Sequence, residues 1–522
     1  MQQNNTNWFT PISYALMIIV GIVIGVFVKG DLSMRGLFTA KQDPILEMIQ
    51  IVQSKYVDSL KNDSASIKLA DYYLSQLDPH SVYIPPADLV DVNEQLAANL
   101  KGIGIEFQQF RDSFYVTYVL KDGPAYKGGV QLGDILLKAN DSIKLSGGNL
   151  QADEVRQKVK GPEDSPLKLL VSRKNKEVQL QLTRANISIS PIDAFYMISD
   201  TVGYIKLNKF TDRTYEAFMQ ALDPLVQKGM KSLVLDLRNN GGGLLSEAVG
   251  IADELLPGNK LIVYTEGAHS PRVDYYSKRE GLFEQGKITI LMNESSASAS
   301  EVLAGALQDW DRATIVGTRS FGKGLVQQQF NLSNGGALRL TTAKYYTPLG
   351  RNIQRPYVLG KEAYEDAYVK RLHEDAIGIP DSNFKGNSFK TPKGNLVYGG
   401  GGIYPDKWVV SNDIVMDTNN QLLLQNNLVN EFILGFYLSQ LPQMTQLKNV
   451  PDLLTQYNNE TTWEAFINFA RQHSSSSVGK LNSSKKRLQP EMASLLARMR
   501  WYKQGYYEAS NLMDPQFQKM IH

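Results

Sequence analysis

The feature that most constrains the fold is a nearly continuous apolar run, SLVLDLR at residues 232–238, with a glycine-rich turn directly after it. Such a run is typical of a strand buried on both faces, as in the parallel sheets of α/β proteins. The turn at residues 239–243 leads into a pattern that predicts a helix over residues 245–256. The chain is therefore predicted to contain an α/β core.

The same alternation of strand and helix patterns extends from Gly203 to Tyr346. Amphipathic spacing predicts two more helices, at residues 214–227 and 300–310. Short apolar runs predict strands at residues 203–210, 260–266, 287–293, 313–317, 325–330 and 337–346.

The flanking regions have other patterns. Residues 43–100 are predicted to be helical, with a break at the proline-containing segment 77–86. Residues 101–184 alternate short apolar runs with turn signals, which predicts a small β-rich module with one helix at 151–159. Residues 411–522 are polar, rich in Asn and Gln, and are predicted to be helical. The fold class is therefore α/β (α+β) and multidomain, as expected for 522 residues.

One segment has the composition of a membrane helix. Residues 12–28 are apolar and carry no charge, and their length is at the short end of the roughly 17–25 residues that cross a bilayer. The alternative is a cleaved signal peptide. The absence of a clear Ala-x-Ala site favours an uncleaved anchor. Lys29, Arg35 and Lys41 follow the segment, so the positive-inside rule weakly favours a cytoplasmic body.

Composition excludes some classes of function. The net charge of +2 gives no general attraction to nucleic acid. The chain has no Cys, which excludes disulfides, thiol catalysis and Cys-ligated zinc.

The segment NESSASASE at residues 293–301 contains the first candidate catalytic residue. Ser298 and Glu301 match a capping box at the start of a helix, which is a sufficient structural explanation. The same position suits a nucleophile, because a strand-to-helix turn presents the serine outward and the helix N-terminus offers a positive dipole. The amide of Ala299 would then form one arm of an oxyanion hole.

A serine nucleophile needs a group that removes its proton. None of the five His residues lies near Ser298 in the sequence, so Lys323 is the most plausible base. A lysine between two glycines is usually a solvated turn residue, and it acts as a base only if burial lowers its pKa. Apolar neighbours favour a lowered pKa of Lys323, and Gln327, four residues later, is placed to orient its amine. Asp309 is another polar neighbour, although a carboxylate would raise the pKa of the lysine.

Three glycine-containing loops also need an interpretation. The triplet at residues 241–243 is either a tight turn or a nest of amides that binds an oxyanion. Residues 317–323 match a phosphate-binding loop, but Gly324 stands where Ser or Thr should hold magnesium, which argues against nucleotide binding. The segment at residues 102–105 is either an ordinary strand start or a loop that captures a C-terminal carboxylate.

Together these segments resemble the C-terminal processing (tail-specific) peptidases, serine proteases with a Ser-Lys dyad and an embedded PDZ domain. The resemblance covers about residues 42–354. The matching segments are, in order, LDPHSVY, KGIGIEF, KDGPAYKGGVQLGDILLKAND, VGYIKLNKF, LVLDLRNNGGGLL, SASASEVLAGALQD, GTRSFGKGLVQ and TTAKYYTPLGRNIQ.

The resemblance implies a catalytic role for three residues. Ser298 is the expected nucleophile, Lys323 the general base and Gln327 the residue that orients the base. The implied reaction is acyl transfer at a peptide bond near a substrate C-terminus, with no metal, nucleotide or other cofactor.

The resemblance also implies supporting sites. The oxyanion hole is expected to use the amides of Ala299 and of one glycine of the triplet, with Gly242 preferred. Many members have proline where this chain has Gly241, which makes the loop more flexible. Asp309 falls where some members have a functional aspartate, so it is a candidate supporting residue. The expected binding loop for substrate tails consists of Gly102, Ile103, Gly104 and Ile105.

The domain organisation implied by the resemblance has five parts. They are a membrane anchor or signal segment (1–30), an N-terminal helical region (31–98), a PDZ domain (99–185), a mixed-sheet Ser-Lys protease core (186–408) and a helical C-terminal extension (409–522).

Members of this family usually work outside the cytoplasm. Against the weak charge bias after residue 28, the resemblance therefore implies a single-pass membrane-anchored serine endopeptidase whose catalytic body lies on the periplasmic side. Its expected partners are protein substrates with exposed C-terminal tails, the membrane, and a second copy or an adaptor protein, with no nucleic acid. The alternative is a non-catalytic PDZ scaffold that binds peptides on an inactive protease fold.

Overall fold

The computed structural model describes residues 14–21, 44–55, 62–97, 99–147, 150–376, 386–409, 427–473 and 481–521. The chain divides into two compact units, Met1–Ala70 and Asp71–His522.

The predicted membrane segment at residues 12–28 lies partly outside the described residues. Within it, residues 14–21 form a helix, α1, with exposed side chains. None of the helices in the described ranges is both long and apolar enough to cross a bilayer.

The region before the β-rich module is mainly helical, as predicted, with helices α2 (Pro44–Lys55), α3 (Asn62–Ser75) and α4 (Pro86–Ala97). The predicted break also contains a short strand, β1 (Val82–Ile84), that the sequence pattern did not indicate. Its register pairs Val82 with Arg339, far along the chain, so no local signal predicts it.

The β-rich module folds as an antiparallel sheet with strand order β3-β4-β5-β7-β8, and β6 pairs with β5. Its core includes Phe114, Val116, Leu136 and Val155, the last on the predicted helix. The elements are β2 (Asn99–Gly102), β3 (Ile105–Phe110), β4 (Ser113–Val119), α5 (Pro124–Lys127), β5 (Ile135–Ala139), β6 (Ile143–Lys144), α6 (Ala152–Val159), β7 (Pro166–Arg173), β8 (Lys176–Thr183) and β9 (Ala185–Ser188). Strands β2 and β9 pair with each other and bring the two ends of the module together.

The α/β core begins after the module. Its elements are β10 (Ile192–Ser199), β11 (Val202–Leu207), α7 (Thr214–Gln227), β12 (Ser232–Asp236), α8 (Leu245–Leu255), β13 (Leu261–Gly267), β14 (Ser270–Tyr276), β15 (Lys287–Met292), α9 (Ala299–Asp309), β16 (Ala313–Gly317), β17 (Leu325–Asn331), β18 (Ala337–Tyr346), α10 (Lys361–Ala376), β19 (Ser388–Lys390), β20 (Leu396–Tyr398) and β21 (Lys407–Trp408).

The central sheet has the order β10-β11-β12-β15-β16-β21. Strand β10 is antiparallel to β11, and the remaining neighbours are parallel. The predicted buried strand is β12, at an inner position, and Leu233, Val234 and Leu235 are at most 2% exposed. Helices α7, α8 and α9 pack in one core with Leu235. This confirms the mixed α/β core.

A second sheet has the order β1-β18-β13-β14, with β17 paired to β18, and its strand β13 packs against helices α8 and α9. Strand β17 carries a register shift between Val326 and Gln327. Such a bulge re-aims the side chain at that position.

The C-terminal region is helical in its described part, as predicted. The helices are α11 (Leu428–Ser439), α12 (Leu441–Met444), α13 (Val450–Tyr457), α14 (Glu460–His473), α15 (Leu481–Met513) and α16 (Pro515–Ile521). Phe517 and Met520 of α16 pack with Tyr204 and Val234 of the central sheet. The C-terminal helices therefore cover part of the core.

Candidate active site

Ser298 lies at the turn between strand β15 and helix α9. Its backbone has φ of 56° and ψ of −115°. A positive φ is uncommon for a residue other than glycine and costs of order 1–3 kcal/mol. The contacts around the turn must therefore hold this conformation.

The segment after β12 supplies those contacts. Ala297 N donates to Asn240 O at 3.0 Å, and Ser300 Oγ donates to the same carbonyl at 2.9 Å. Ser296 Oγ donates to Leu237 O at 2.8 Å. Strands β12 and β15 are parallel neighbours, so their carboxyl ends deliver both loops to one edge of the sheet.

Lys323 lies between two glycines in the loop that follows β16. Gly322 has φ of 90°, and a Cβ there would lie 2.4 Å from Cγ of Arg355. A Cβ at Gly324 would lie 2.9 Å from the backbone nitrogen of Gln354. The loop is therefore closely packed, in contrast to the solvated turn that a lysine between glycines usually indicates.

The surroundings of Lys323 suit a base. Burial lowers the pKa of Lys323, the charge of Arg339 lowers it further, and Glu301 and Asp78 oppose the shift. A lysine base must be neutral, so the lowered pKa favours this chemistry. Lys323 Nζ donates to Gln327 Oε1 at 2.8 Å, as the predicted orienting role requires.

Glu301 connects the turn of Ser298 with the loop of Lys323. Its Oε2 accepts the amides of Ser298 at 2.8 Å and of Lys323 at 2.9 Å. Its Oε1 accepts the amide of Gly322 at 2.7 Å and the hydroxyl of Ser320 at 2.5 Å. Complete burial raises the pKa of Glu301, and these hydrogen bonds oppose the rise. The sequence indicated only the capping contact with Ser298.

Ser298, Lys323 and Gln327 line one cavity of about 600 Å³, together with Ala299 and the glycine triplet. In this part of the described chain Lys323 Nζ bonds Gln327, and no hydrogen bond joins it to the Ser298 hydroxyl. Catalytic hydrogen bonds are often long without substrate and shorten in the substrate complex. The cavity thus brings the predicted nucleophile and base together without a direct bond.

The glycine triplet lies directly against the turn of Ser298. A Cβ at Gly242 would lie 2.5 Å from Ala297 O and 2.8 Å from Ser298 Cβ, so only glycine fits there. The Gly242 amide donates to Asn240 Oδ1 at 2.9 Å. Ala299 is the first residue of α9, where amides have no partner within the helix. The Ala299 amide therefore has no acceptor within the helix, whereas the Gly242 amide already has an acceptor.

The predicted tail-binding residues connect β2 with β3. Gly102 ends β2, Ile105 begins β3, and Gly104 has φ of 76°. The Ile103 carbonyl accepts the Ala125 amide at 2.8 Å, which fixes the loop against the module. Strand β3 is at the end of its sheet, and in the described residues its outer edge has no strand partner. An extended peptide can add to such an edge.

Two known sequence families match parts of the chain. The peptidase family S41 matches residues 201–360, and the PDZ domain matches residues 115–173. The chain is 36% identical to the carboxy-terminal-processing protease of Bartonella bacilliformis over 349 residues, which are 65% of this chain and 79% of that protein. It is 32% identical to a probable CtpA-like serine protease of Staphylococcus aureus (strain N315) over 365 residues, which are 69% of this chain and 71% of that protein.

The chain belongs to the carboxy-terminal-processing proteases of peptidase family S41. It is a serine-type peptidase with a PDZ domain, which implies binding of peptide C-terminal tails.

A solved structure titled photosystem II D1 C-terminal processing protease is 28% identical to the chain. The overlap covers 61% of this chain and 85% of that chain, with a TM-score of 0.37. The assignment to the carboxy-terminal-processing proteases depends on the sequence matches.

Asp309 is at the opposite end of helix α9 from Ser298, about 16 Å away at 1.5 Å per residue. Its Oδ1 pairs with Arg351 at 2.5 Å, and both side chains are fully buried. Its Oδ2 accepts the Leu349 amide at 2.9 Å. In this carboxy-terminal-processing protease Asp309 therefore fixes a neighbouring loop and does not contact Lys323 in the described structure.

One residue near the base has no local sequence signal. The His80 carbonyl accepts Gln327 Nε2 at 2.6 Å across 247 positions of sequence. The His80 ring packs against Phe321 and Tyr364, and its Nε2 lies 3.2 Å from Tyr364 Oη. Burial, followed by the charge of Lys323, lowers the pKa of His80 to about 4. A histidine thus lies near the base, but its ring bonds Tyr364 and not Ser298.

Proposed function

We propose that this carboxy-terminal-processing protease hydrolyses peptide bonds near substrate C-termini with a Ser298–Lys323 dyad. The observation that carries the proposal is the cavity that both residues line, where the carboxylate of Glu301 holds the amides of both. The lowered pKa of Lys323 supports the neutral amine that the reaction needs.

In the first step Lys323 Nζ takes the proton of Ser298 as Oγ bonds to the carbonyl carbon of the scissile peptide. The peptide C–N bond then breaks, and the Lys323 ammonium gives its proton to the leaving amine. Water attacks the resulting ester and passes a proton through Lys323 to Ser298 Oγ. The products are a free amine, a new carboxylate and the original enzyme.

Gln327 keeps one N–H of the amine engaged, because its Oε1 accepts from Lys323 Nζ. A neutral amine has one lone pair, and this contact leaves the lone pair for the Ser298 proton. Gln327 therefore orients the base without taking a proton.

The oxyanion that forms in the first step needs hydrogen-bond donors. The Ala299 amide is one donor, supported by the dipole of α9. The Gly242 amide is the second, and it must exchange or share its present acceptor, Asn240 Oδ1, when the oxyanion forms.

Substrate capture is proposed at Gly102, Ile103, Gly104 and Ile105. The outer edge of β3, which has no strand partner in the described residues, supports the addition of an extended tail, whose carboxylate would lie at the loop before the strand. A soluble peptide with an apolar C-terminus tests this directly. Amidation of its terminal carboxylate is expected to weaken binding by about tenfold or more.

Cleavage of an unfolded reporter with an apolar C-terminal tail tests the dyad. Ser298→Ala and Lys323→Ala are each expected to abolish turnover. Ser295→Ala, in the same turn, and Lys344→Ala, on the exposed side of β18, are matched controls that are expected to keep wild-type turnover. Turnover that survives in Ser298→Ala would refute the proposal, and a wild type that binds the tail without cleaving it would favour a PDZ scaffold.

We also propose that residues 12–28 anchor the chain and that the catalytic body lies on the periplasmic side. The support is the uncharged apolar composition of that segment. Added protease is expected to digest the body on intact spheroplasts, and protection of the body would contradict this arrangement.

A homodimer or an adaptor contact is proposed as the quaternary arrangement. Met48, Ile51 and Val52 of α2 are 60%, 53% and 46% exposed, which leaves apolar surface for a partner. Sedimentation of the purified chain is expected to give twice the monomer mass. A monomer that also captures no second protein would contradict it.

A further inference from the structure

The segment LDPHSVY forms a buried turn at residues 78–81 that contacts the base through Gln327. Asp78 and Ser81 are 6% and 4% exposed. Asp78 Oδ1 accepts the amides of His80 at 2.8 Å and of Ser81 at 2.9 Å. Asp78 Oδ2 accepts the Ser81 hydroxyl at 2.5 Å. These bonds are those of an Asx turn, and they fix the peptide units on both sides of His80.

The turn is also attached to the strand that carries the partner of Gln327. Ser81 Oγ accepts the Thr341 amide at 3.1 Å, and Thr341 is the residue opposite Gln327 in the β17–β18 pair. The bulge at Gln327 re-aims its side chain. Asp78 and Ser81 therefore determine where the His80 carbonyl lies relative to the Gln327 amide.

The direction of that amide matters for the chemistry. The His80 carbonyl can only accept, so it selects the NH₂ end of Gln327 and leaves Oε1 toward Lys323. If the amide turned over, its NH₂ would face Lys323 and could bond only to the lone pair of the neutral amine. That lone pair is the one needed for the Ser298 proton.

We propose that Asp78 is a positioning residue of the peptidase. It shapes the turn that presents the His80 carbonyl to Gln327, and it thereby keeps the Gln327 oxygen on Lys323. This inference rests on the proposed Ser298–Lys323 dyad. It assigns a role to a motif that lies far from the catalytic loops in the sequence.

The test is a double-mutant cycle on the purified full chain with the tailed reporter. Asp78→Ala and Gln327→Ala are each expected to lower kcat by about 10- to 100-fold, with KM changed by less than about twofold. On the high-pH plateau, where the effect of the Asp78 charge on the pKa of Lys323 no longer changes the neutral fraction, the double variant is expected to be no slower than Gln327→Ala alone, because both changes remove the same positioning interaction. Losses that multiply, or a loss confined to KM, would overturn the proposal.

Rescue and control variants separate positioning from general damage. Asp78→Asn keeps an oxygen for both amides, so its kcat is expected within about threefold of wild type. Asn334→Ala removes a side-chain bond to Tyr83 close to the turn and is expected to leave kcat unchanged. If Asp78→Asn were as slow as Asp78→Ala, loss of the turn could not be the cause of the lower kcat.

If thermal unfolding shows that Asp78→Ala does not fold, Ser81→Ala replaces it. This variant loses the hydroxyl bonds to Asp78 and Thr341 and is expected to lower kcat by about threefold, but only when Gln327 is present. An equal loss in the Gln327→Ala background would overturn the proposal. Ser298→Ala distinguishes failure of the dyad from failure of the positioning role. Turnover in Ser298→Ala would refute the dyad itself. If Ser298→Ala is inert but the losses of Asp78→Ala and Gln327→Ala multiply, only the positioning role of Asp78 is refuted.

Discussion

Helix α9 carries a buried carboxylate near each end, and the two have different partners. Glu301, in the first turn, accepts three backbone amides and one hydroxyl from the turn of Ser298 and the loop of Lys323. Asp309, the last residue of the helix, pairs with the buried guanidinium of Arg351. A carboxylate held by neutral donors leaves its negative charge uncompensated, whereas an ion pair cancels it. The first end joins the two loops of the proposed dyad, and the second joins the helix to the segment of Leu349 and Arg351.

The largest expected effect is on stability at the Asp309 end. Asp309→Asn removes the carboxylate that pairs directly with the fully buried Arg351, so the free energy of unfolding is expected to fall by about 3–5 kcal/mol. The kcat of the folded fraction is expected within about threefold of wild type. Denaturant unfolding measures the free energy of unfolding, and active-site titration gives the kcat of the folded fraction. Asp274→Asn, in the exposed pair with Arg272, is the control and is expected to cost less than about 1 kcal/mol.

The next largest effect is on kcat, at the Glu301 end of helix α9. Glu301→Gln places an NH₂ group against the amides that now donate to the carboxylate, so both loops must move. A displacement of about 1 Å at the reacting groups is expected to lower kcat by about 100-fold. Glu294→Gln, a buried glutamate that accepts from Thr318 at 3.1 Å, is the matched control. Equal losses of kcat in Glu301→Gln and Asp309→Asn would remove the contrast between the two ends.

A smaller loss of kcat is expected at Tyr345, whose hydroxyl also bonds both loops. Tyr345 Oη donates to the Ser298 carbonyl at 3.2 Å and also to the Lys323 carbonyl. Tyr345→Phe is expected to lower kcat by about 3- to 10-fold, the value of one or two hydrogen bonds. A loss as large as that of Glu301→Gln would mean that Tyr345 holds the loops equally.

The smallest expected effect is a shift in the pH dependence of kcat. Arg339 lowers the pKa of Lys323, so Arg339→Gln is expected to raise it. Activity needs neutral Lys323 and rises with pH through that pKa, so the acid limb of kcat is expected to move to higher pH. At a fixed pH on that limb the variant is expected to be a few-fold slower, with an unchanged plateau. A shift toward lower pH would contradict Lys323 as the base.

The sequence predicted the local elements of the core well. Helix α7 and strand β18 have the predicted bounds, because amphipathic or apolar patterns define them without tertiary information. Ser298, Lys323 and Gln327 were recognised from short motifs, and the cavity brings all three together. The proposed roles of these residues remain predictions.

Contacts between distant segments could not be predicted from local patterns. Strand β1 exists through pairing with β18, and the His80 carbonyl reaches Gln327 across 247 positions. The Gly242 amide was expected to serve the oxyanion hole, and its bond to the side chain of Asn240, two residues earlier, was not predicted. Asp309 was a candidate supporting residue by position, and only its buried partner shows that it holds a loop.

Labelling with a fluorophosphonate probe tests the central claim most directly. Attack by an activated serine forms an Oγ–P bond and expels fluoride, so intact mass and peptide mapping report which serine reacts. We predict one adduct, on Ser298, that is absent in Ser298→Ala and at least about 100-fold slower to form in Lys323→Ala. An adduct on another serine, or full labelling of Ser298 without Lys323, would contradict the dyad.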